Sequence, residues 1–208
     1  MKAERDSTRQ GRWQGARVHL GAPARATAWC VALILSMGGF SPVRGQQSRP
    51  SEYQVKAVYL FNFSRFVGWP SQAASEPLGP FAICVLGKDP FGAVLDATLA
   101  GENIGGKSVV ARRVAQAQEA TNCRVVFISS SEEGRLKEIL GVLDKASVLT
   151  VSDIPRFSQH GGMIEFVLQG DRVRFEVNLA STAEAGLTLS SELLKVAVAV
   201  RRSAQPGG

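Results

Sequence analysis

Apolar side chains recur at helical spacing in the stretch "EYQVKAVYLFNFSRFVGWP", which runs from residue 52 to residue 70. Ser51 and Gln54 form a capping box ahead of it, and Trp69-Pro70 ends it. Asn62 also falls on the apolar stripe, and we expect a buried amide bonded to the backbone there, with ligand contact as the alternative. The pattern predicts a helix covered on more than one side, with a stripe whose aromatic members lie in the core: Val55, Val58, Tyr59, Phe63 and Phe66.

Short, uniformly apolar runs then alternate with helical segments. "FAICVLG" (81–87), "CRVVFIS" (123–129) and "ASVLTVSD" (146–153) are typical of buried strands, and "KSVVARRV" (107–114) is a strand by its residue types. Helical patterns separate them, in "FGAVLDATLA" and "EEGRLKEILGVL". This alternation predicts an α/β fold, with a mixed, mostly parallel sheet and helices on both faces.

The C-terminal part alternates apolar and polar residues strictly. "MIEFVL" and "VRFEVNL" flank Gly170-Asp171, which predicts a β-hairpin with a two-residue turn. Glu165 and Glu176 are expected to pair with Arg174 and its neighbours across that hairpin. The stretch "SSELLKVAVAVRR" (190–202) is predicted to be one final helix, followed by a flexible tail at 203–208. Residues 51–202 thus form a single α/β domain that ends in a β-hairpin and a helix.

Charge is concentrated at the beginning of the chain. The formal net charge is +6, and residues 1–45 carry seven of the 24 Lys and Arg but only two of the 18 Asp and Glu. An apolar run, "WCVALILSMGGF" (29–40), follows the basic stretch, and this order predicts a secretory signal peptide at 1–45, cleaved near Gly45, and a short linker at 46–50. Translation could also start downstream, for example at Val18, and a disordered basic tail beside a short buried helix is the alternative. The nearly neutral remainder argues against nucleic acid as a partner.

Export changes how the cysteines are interpreted. Cys30 would leave with the signal peptide, while Cys84 and Cys123 would remain in an oxidising compartment. We expect a disulfide between them, and two buried thiols in neighbouring strands are the alternative. No C-x-x-C motif is present, so nothing in the sequence indicates disulfide-exchange catalysis.

The octet "GENIGGKS" matches the pattern of a phosphate-binding loop through Gly101, Gly106, Lys107 and Ser108. Such a loop needs a strand before it and a helix after it, so that the helix N-terminus faces the phosphates. Here a predicted helix comes first and a predicted strand follows. We therefore interpret the octet as a false match, made of a helix C-cap and a tight turn into the next strand.

The sequence offers few groups for catalysis or metal binding. His160 is the one histidine after the predicted leader, and it stands beside two glycines in "PRFSQHGG", which predicts an exposed loop. A pH switch at His160 is the alternative. No H-E-x-x-H or G-x-S-x-G motif is present, and the acids Asp153, Glu165, Asp171 and Glu176 show no convergence in the sequence. We predict no catalytic residue, metal or cofactor, and hence a binding or regulatory protein.

Three segments together resemble one family: "EYQVKAVYLFNFSRFVGWP", "ICVLGKDPFG" and "VSDIPRFSQHGGMIEFVLQGDRVRFEVNLASTAEAGLTLSSELLKVA". They look like the YfiR family of small exported regulators. The resemblance implies a periplasmic α/β protein, often dimeric, that binds the periplasmic sensing domain of a membrane diguanylate cyclase and keeps the enzyme inactive. Release through an outer-membrane lipoprotein or through redox stress would raise cyclic di-GMP and favour biofilm. Cys84 and Cys123 match a bridge of that family by position, whereas its second cysteine pair, near "GGMIEF", is missing here.

A second function is compatible with the same pattern. The segments "LGKDPFG" (86–92) and "ISSSEEG" (128–134) both follow predicted strands, where alternating α/β sheets commonly hold ligands. The alternative hypothesis is therefore a periplasmic small-molecule-binding sensor module of another signalling system, with its pocket between these two segments.

Overall fold

The computed structural model describes residues 50–70, 79–144 and 146–202. The predicted signal peptide (1–45), residues 46–49 of the predicted linker and the predicted tail (203–208) lie outside the described residues.

Helices and strands alternate along the described chain. The helices are α1 (Glu52–Phe66), α2 (Ala93–Leu99), α3 (Ala117–Ala120), α4 (Leu136–Leu143), α5 (Leu179–Glu184) and α6 (Ser191–Val196), and a 3-10 turn spans Ser130–Arg135. The strands are β1 (Val67–Gly68), β2 (Phe81–Leu86), β3 (Asn103–Ile104), β4 (Lys107–Val114), β5 (Val125–Ile128), β6 (Leu149–Ser152), β7 (Ile164–Gln169), β8 (Arg172–Asn178), β9 (Thr188–Leu189) and β10 (Ala199–Arg201).

Within the described residues, eight strands form one sheet in the order β10-β8-β7-β6-β5-β2-β4-β3. The central pairs, from β4 through β2, β5 and β6 to β7, are parallel. β7 and β8 form the antiparallel hairpin, with Gly170 at φ 58° in its turn, and β10 runs parallel to β8. The predicted α/β class with a mixed, mostly parallel sheet and a C-terminal hairpin is confirmed.

Helices cover both faces of this sheet, and the side chains of β2 show why. Phe81, Ile83 and Val85 join the core under α1, α2 and α6, whereas Ala82, Cys84 and Leu86 join the core under α3 and α4. All six residues of β2 are buried, because a central strand covered on both faces presents no side chain to solvent. The uniformly apolar runs of the sequence therefore mark the centre of the sheet.

The first helix begins where the sequence predicts and ends at Phe66, three residues before the predicted end at Trp69-Pro70. Ser51 accepts a hydrogen bond from the Gln54 N–H, and the Gln54 side chain accepts one from the Ser51 N–H, which completes the capping box. After Phe66 the chain becomes extended, and β1 pairs with β9 in a separate two-stranded ribbon. A Cβ at Gly68 would lie 2.5 Å from the Thr188 hydroxyl, so a larger residue there would require the Thr188 side chain to rotate.

The prediction of one final helix over 190–202 is wrong. α6 ends at Val196, and the chain then forms β10 along the outer side of β8, starting with a hydrogen bond of 2.9 Å from the Val198 N–H to the Phe175 carbonyl. Two causes favour the strand. Val196, Val198 and Val200 alternate with smaller residues, as in a strand, and β8 offers backbone groups that a helix would leave unpaired.

Candidate interaction surface

The predicted disulfide is present. Cys84 lies on β2 and Cys123 lies just before β5, with their Cα atoms 6.1 Å apart. The two residues are 0% and 3% exposed, in the core that α3 and α4 share with the sheet. The bridge therefore ties the turn after α3 to the central strand, and a reductant reaches the sulfurs only if this region opens.

The octet that resembles a phosphate-binding loop forms the end of α2 and a β-hairpin. Gly101 follows the helix at φ 79°, and the Glu102 N–H donates to the Leu99 carbonyl. β3 pairs with β4 in antiparallel fashion around Gly105 and Gly106, whose φ values are 58° and 80°. Lys107 and Ser108 are the first residues of β4, so a strand and not a helix follows the glycines, as the residue pattern predicts.

The two segments proposed to frame a ligand pocket do meet at the carboxyl ends of β2 and β5. The Lys88 N–H donates to the Ser131 hydroxyl at 2.9 Å. Gly87 adopts φ 90°, and a Cβ there would lie 2.5 Å from the Glu132 carboxylate. Glu132 is buried and pairs with Arg135, so protein side chains fill the gap between the two strand ends.

A buried charge cluster holds the inner side of α1 against the sheet. Lys56 is 2% exposed, and its Nζ lies 2.6 Å from Asp153 Oδ2, while Glu52, one turn earlier on the helix, forms a second ion pair with Lys56. The Tyr53 hydroxyl donates to the same Asp153 oxygen at 3.1 Å. Burial, followed by the charge and hydrogen bond of Asp153, raises the pKa of Tyr53 from 10.0 to about 12.

Local sequence patterns do not predict this cluster. Asp153 is one of four acids that show no convergence in the sequence. The available signal was Lys56 itself, because it lies in a stretch where most neighbours are apolar and the helical period turns it inward. Its partner is 97 positions away in the chain, which helical spacing cannot reveal.

The hairpin carboxylates make different contacts from those predicted. The register places Glu165 opposite Glu176, and Glu165 is 6% exposed. Its carboxylate accepts hydrogen bonds from the N–H groups of Arg156 and Ser158, both at 2.9 Å, and from the Ser158 hydroxyl at 2.8 Å. Glu176 pairs with Arg201 on β10 at 3.3 Å. Glu165 thus anchors the loop before β7, and His160 in the same loop is exposed.

The outer side of α1 carries an apolar row that was expected in the core. Val58, Asn62 and Phe66 stand four residues apart, and Val58 and Phe66 are 49% and 41% exposed. The prediction that Phe66 lies in the core is wrong, because the sheet packs against the side of the helix centred on Leu60 and Phe63. Asn62 is half-buried, and its amide makes no hydrogen bond within the described part of the chain, contrary to the expected buried amide. We call Val58, Asn62 and Phe66 the α1 ridge.

A groove of about 1080 Å³ runs beside the N-terminal half of α1. Val55 and Tyr59 line one wall, and Leu168, Val173 and the hairpin turn line the other. Leu168 is 59% exposed at the end of the hairpin. Two further apolar side chains, Val196 and Val198, are 58% and 37% exposed beside β10. The described surface therefore presents apolar side chains at α1, at the hairpin end and at the β10 edge.

Residues 50–70, 79–144 and 146–202 were searched for a metal site and for a helix that could span a membrane. No group of three or more His, Cys, Asp or Glu is arranged to hold a metal ion there. No helix in these ranges is long and apolar enough to cross a membrane.

A family model described as YfiR/HmsC-like matches residues 53–198. This match extends from the second residue of α1 to the residue before β10 and includes the disulfide. The chain belongs to the YfiR/HmsC-like family. This membership agrees with the resemblance seen in the sequence.

Two solved structures are similar to this YfiR/HmsC-like chain at 11% identity each. One is a conserved domain protein from Vibrio cholerae O1 biovar El Tor, with a TM-score of 0.46 over 58% of this chain and 55% of that one. The other is the ABC domain in complex with L-Trp from Streptococcus pneumoniae, with a TM-score of 0.48 over 69% of this chain and 60% of that one. The chain thus spans less than two thirds of the length of either.

Proposed function

We propose that this protein is an exported regulator that binds the periplasmic sensor domain of an inner-membrane diguanylate cyclase and keeps the enzyme inactive. Cyclic di-GMP in the cell falls as a result, and biofilm formation with it. The observation that carries the proposal is the YfiR/HmsC-like match over residues 53–198. A signal peptide at 1–45 delivers the protein to the periplasm, and an outer-membrane lipoprotein relieves the repression by capturing it. The protein acts as a homodimer and has no enzymatic activity of its own.

Exposed apolar side chains support a function that depends on protein partners. Val196 and Val198 stand beside β10, an edge strand that pairs with β8 alone among the described strands. Unpaired edge groups and exposed valines together favour contact with another protein. We propose the β10 edge as the surface that meets the sensor domain.

The structure supports the alternative function, a small-molecule sensor module, less well, because side chains fill the place where its pocket was predicted. Ser131 and Glu132 occupy the gap at the carboxyl ends of β2 and β5, where the pocket was predicted. The geometry therefore favours regulation through protein contacts.

The proposal is tested by measuring cyclic di-GMP in the native host with and without the gene. Deletion is expected to raise the level, and the full chain is expected to restore it, whereas a copy without residues 1–45 is not. A Val196→Asp/Val198→Asp variant is expected to be exported yet fail to repress, with Lys137→Asp on the exposed side of α4 as the matched control. An unchanged cyclic di-GMP level on deletion would refute the proposed function.

A further inference from the structure

A cavity of about 270 Å³ opens at the amino-terminal edge of the sheet. Its walls come from the end of α1, the start of β2, the turn between β3 and β4, and the chain just before β5. Since β2, β4 and β5 are parallel, this edge lies opposite the carboxyl ends, where protein side chains fill the predicted pocket. We call this cavity the amino-edge pocket.

Positive charge lines the amino-edge pocket from three separate segments of the chain. Arg65 lies in the last turn of α1, Lys107 is the first residue of β4, and Arg124 comes directly before β5. No Asp or Glu is found among the described residues of its lining. Lys107 and Arg124 also interact with other groups of the chain, which limits the freedom of their side chains. The pocket therefore attracts anions.

Trp69 adds an unused hydrogen-bond donor to the same wall. Its Nε1 is buried, and no described residue accepts a hydrogen bond from it. An indole N–H can only donate, and a buried donor without an acceptor costs free energy. The Phe81 ring packs edge-on against Trp69 with the ring centroids 5.4 Å apart, and the Arg124 guanidinium carbon lies 5.9 Å from the Trp69 ring. The indole is thus fixed beside a cation, and a bound oxyanion would supply the acceptor that its N–H lacks.

The arrangement of these donors favours phosphate over a carboxylate. Arginine and lysine bind phosphate through charge-assisted hydrogen bonds, and a phosphate group offers acceptor oxygens in several directions. A carboxylate has two oxygens in one plane, which suits one arginine better than cations from three segments. The remaining wall includes the apolar side chains of Val67 and Ile104, so a phosphate with a small substituent also fits.

Two residues of the octet "GENIGGKS" belong to this pocket. Gly105 and Lys107 are part of its lining, although the octet is followed by a strand. The helix N-terminus that strengthens phosphate binding in a nucleotide-binding loop is therefore missing. Lys107 contributes a point charge from the start of β4, and the other donors come from Arg65, Trp69 and Arg124.

We propose that the amino-edge pocket binds a phosphate group. Arg65, Lys107 and Arg124 neutralise its charge, and Trp69 Nε1 donates a hydrogen bond to one of its oxygens. Free phosphate, a small phosphorylated molecule and a phosphate lipid headgroup all present this same oxyanion. The β10 edge, proposed for the sensor domain, lies at the other end of the strand order, so this inference goes beyond the proposed function and does not depend on it.

Isothermal titration calorimetry with inorganic phosphate tests the site on the purified full chain. Lys107→Ala and Arg124→Ala are each expected to raise the Kd at least about tenfold, because each removes a charge-assisted hydrogen bond. Lys137→Ala removes an exposed positive charge on α4 and is expected to leave the Kd within about twofold of the wild type. Circular dichroism checks that each variant is folded. No heat of binding at millimolar phosphate, or equal weakening by all three substitutions, would overturn the proposal.

Nuclear magnetic resonance of the indole N–H groups tests the hydrogen bond itself. The chain has three tryptophans, Trp13, Trp29 and Trp69, and Trp69→Phe assigns the Trp69 resonance. Phosphate is expected to move the Trp69 indole proton to lower field and to leave the other two in place. Lys107→Ala should reduce this shift at the same phosphate concentration. A Trp69 resonance that stays in place at saturating phosphate would overturn the site.

Further measurements identify the anion and its source. Acetate at the same concentration is expected to leave the Trp69 resonance in place, and a shift equal to that with phosphate would refute the assignment to phosphate. Sedimentation with phosphatidylcholine vesicles that contain phosphatidate, lost without phosphatidate and in Lys107→Ala, would assign the site to a lipid headgroup. Binding of inorganic phosphate without sedimentation would assign it to a soluble phosphate.

The phosphate site and the proposed function fail separately. Binding is measured on the isolated protein, so its absence leaves the cyclic di-GMP result unaffected. An unchanged cyclic di-GMP level on deletion of the gene would refute the regulatory function, and the phosphate site would stand on the calorimetry and on the Trp69 resonance.

Discussion

Lys56 and Asp153 form a buried ion pair that joins α1 to the carboxyl end of β6, with 2.6 Å between Lys56 Nζ and Asp153 Oδ2. The lysine side chain is 3% exposed and the aspartate side chain 14%. Removing one partner of a pair this far from water destabilises the fold more than replacing both by apolar residues, because the remaining charge stays buried without a partner. The pair therefore links the position of α1 to the loop that follows β6.

We expect Lys56→Met to lower the free energy of unfolding by about 3 kcal/mol, since Asp153 would be left without its cation. Urea denaturation at pH 7 measures the change. Lys137→Met is the control, because Lys137 is exposed on α4, and it is expected to shift stability by no more than about 0.5 kcal/mol. Similar losses in the two variants would contradict the inferred role of the pair.

Tyr53, in the same cluster, makes the stability of the fold depend on pH in the alkaline range. Its pKa is raised from 10.0 to about 12 in the folded protein, so the protonated hydroxyl is favoured by folding. The stabilisation is complete below pH 10, where Tyr53 is protonated in both states, and is lost as the pH rises from about 10 to about 12. We expect the midpoint of urea unfolding to fall over this range, and to fall less in Tyr53→Phe.

The cause of the Tyr53 shift can be tested separately. The chain has two tyrosines, so ultraviolet titration of the wild type and of Tyr53→Phe assigns the Tyr53 transition. Asp153→Asn removes the carboxylate that raises this pKa, while burial, the larger cause, remains. The pKa of Tyr53 is expected to decrease and to stay above 10.0. A pKa in Asp153→Asn equal to that of the wild type would show that Asp153 has no effect on Tyr53.

The disulfide is expected to stabilise the fold and to resist reduction. Cys84 and Cys123 are 39 positions apart, and closing a loop of that length contributes about 4 kcal/mol in the chain-entropy treatment. Replacing both by alanine should lower the free energy of unfolding by about 2–5 kcal/mol, measured in urea. Dithiothreitol should reduce the native bridge far more slowly than the bridge in unfolded protein, since both residues are buried. Equally fast reduction of the two would indicate an accessible redox switch.

Gly162 is expected to be sensitive to substitution for a steric reason. A Cβ added there would lie 2.1 Å from the ring of Phe157, which is itself completely buried. Gly162→Ala should therefore cost about 1–3 kcal/mol through overpacking, measured as a lower midpoint in urea. Gly134→Ala is the matched control, because nothing lies within 4 Å of its added Cβ. A Gly162→Ala protein as stable as Gly134→Ala would mean that the Phe157 ring moves aside at little cost.

Local sequence patterns predicted much of the fold. The apolar runs at β2, β5 and β6, the capping box at Ser51 and the turn at Gly170 each depend on residues close together in the chain, so spacing alone identifies them. The Cys84–Cys123 bridge followed from the predicted compartment and from the number of cysteines left after the leader. The octet was rejected as a phosphate-binding loop for the same local reason, the order of the flanking elements.

Contacts between distant residues decided the rest. α1 is apolar on almost every side, so only packing on the sheet could bury Phe63 and leave Phe66 exposed. The final helix ends at Val196 because the chain then pairs with the edge of β8. The local sequence does not predict this pairing. Lys56 with Asp153, and Glu165 with the loop at 156–158, are partners that no helical or strand period connects. The sequence by itself determined most of the elements, the sheet type and the family, whereas tertiary packing determined the final strand β10 and which side chains became the buried charges and the exposed surface.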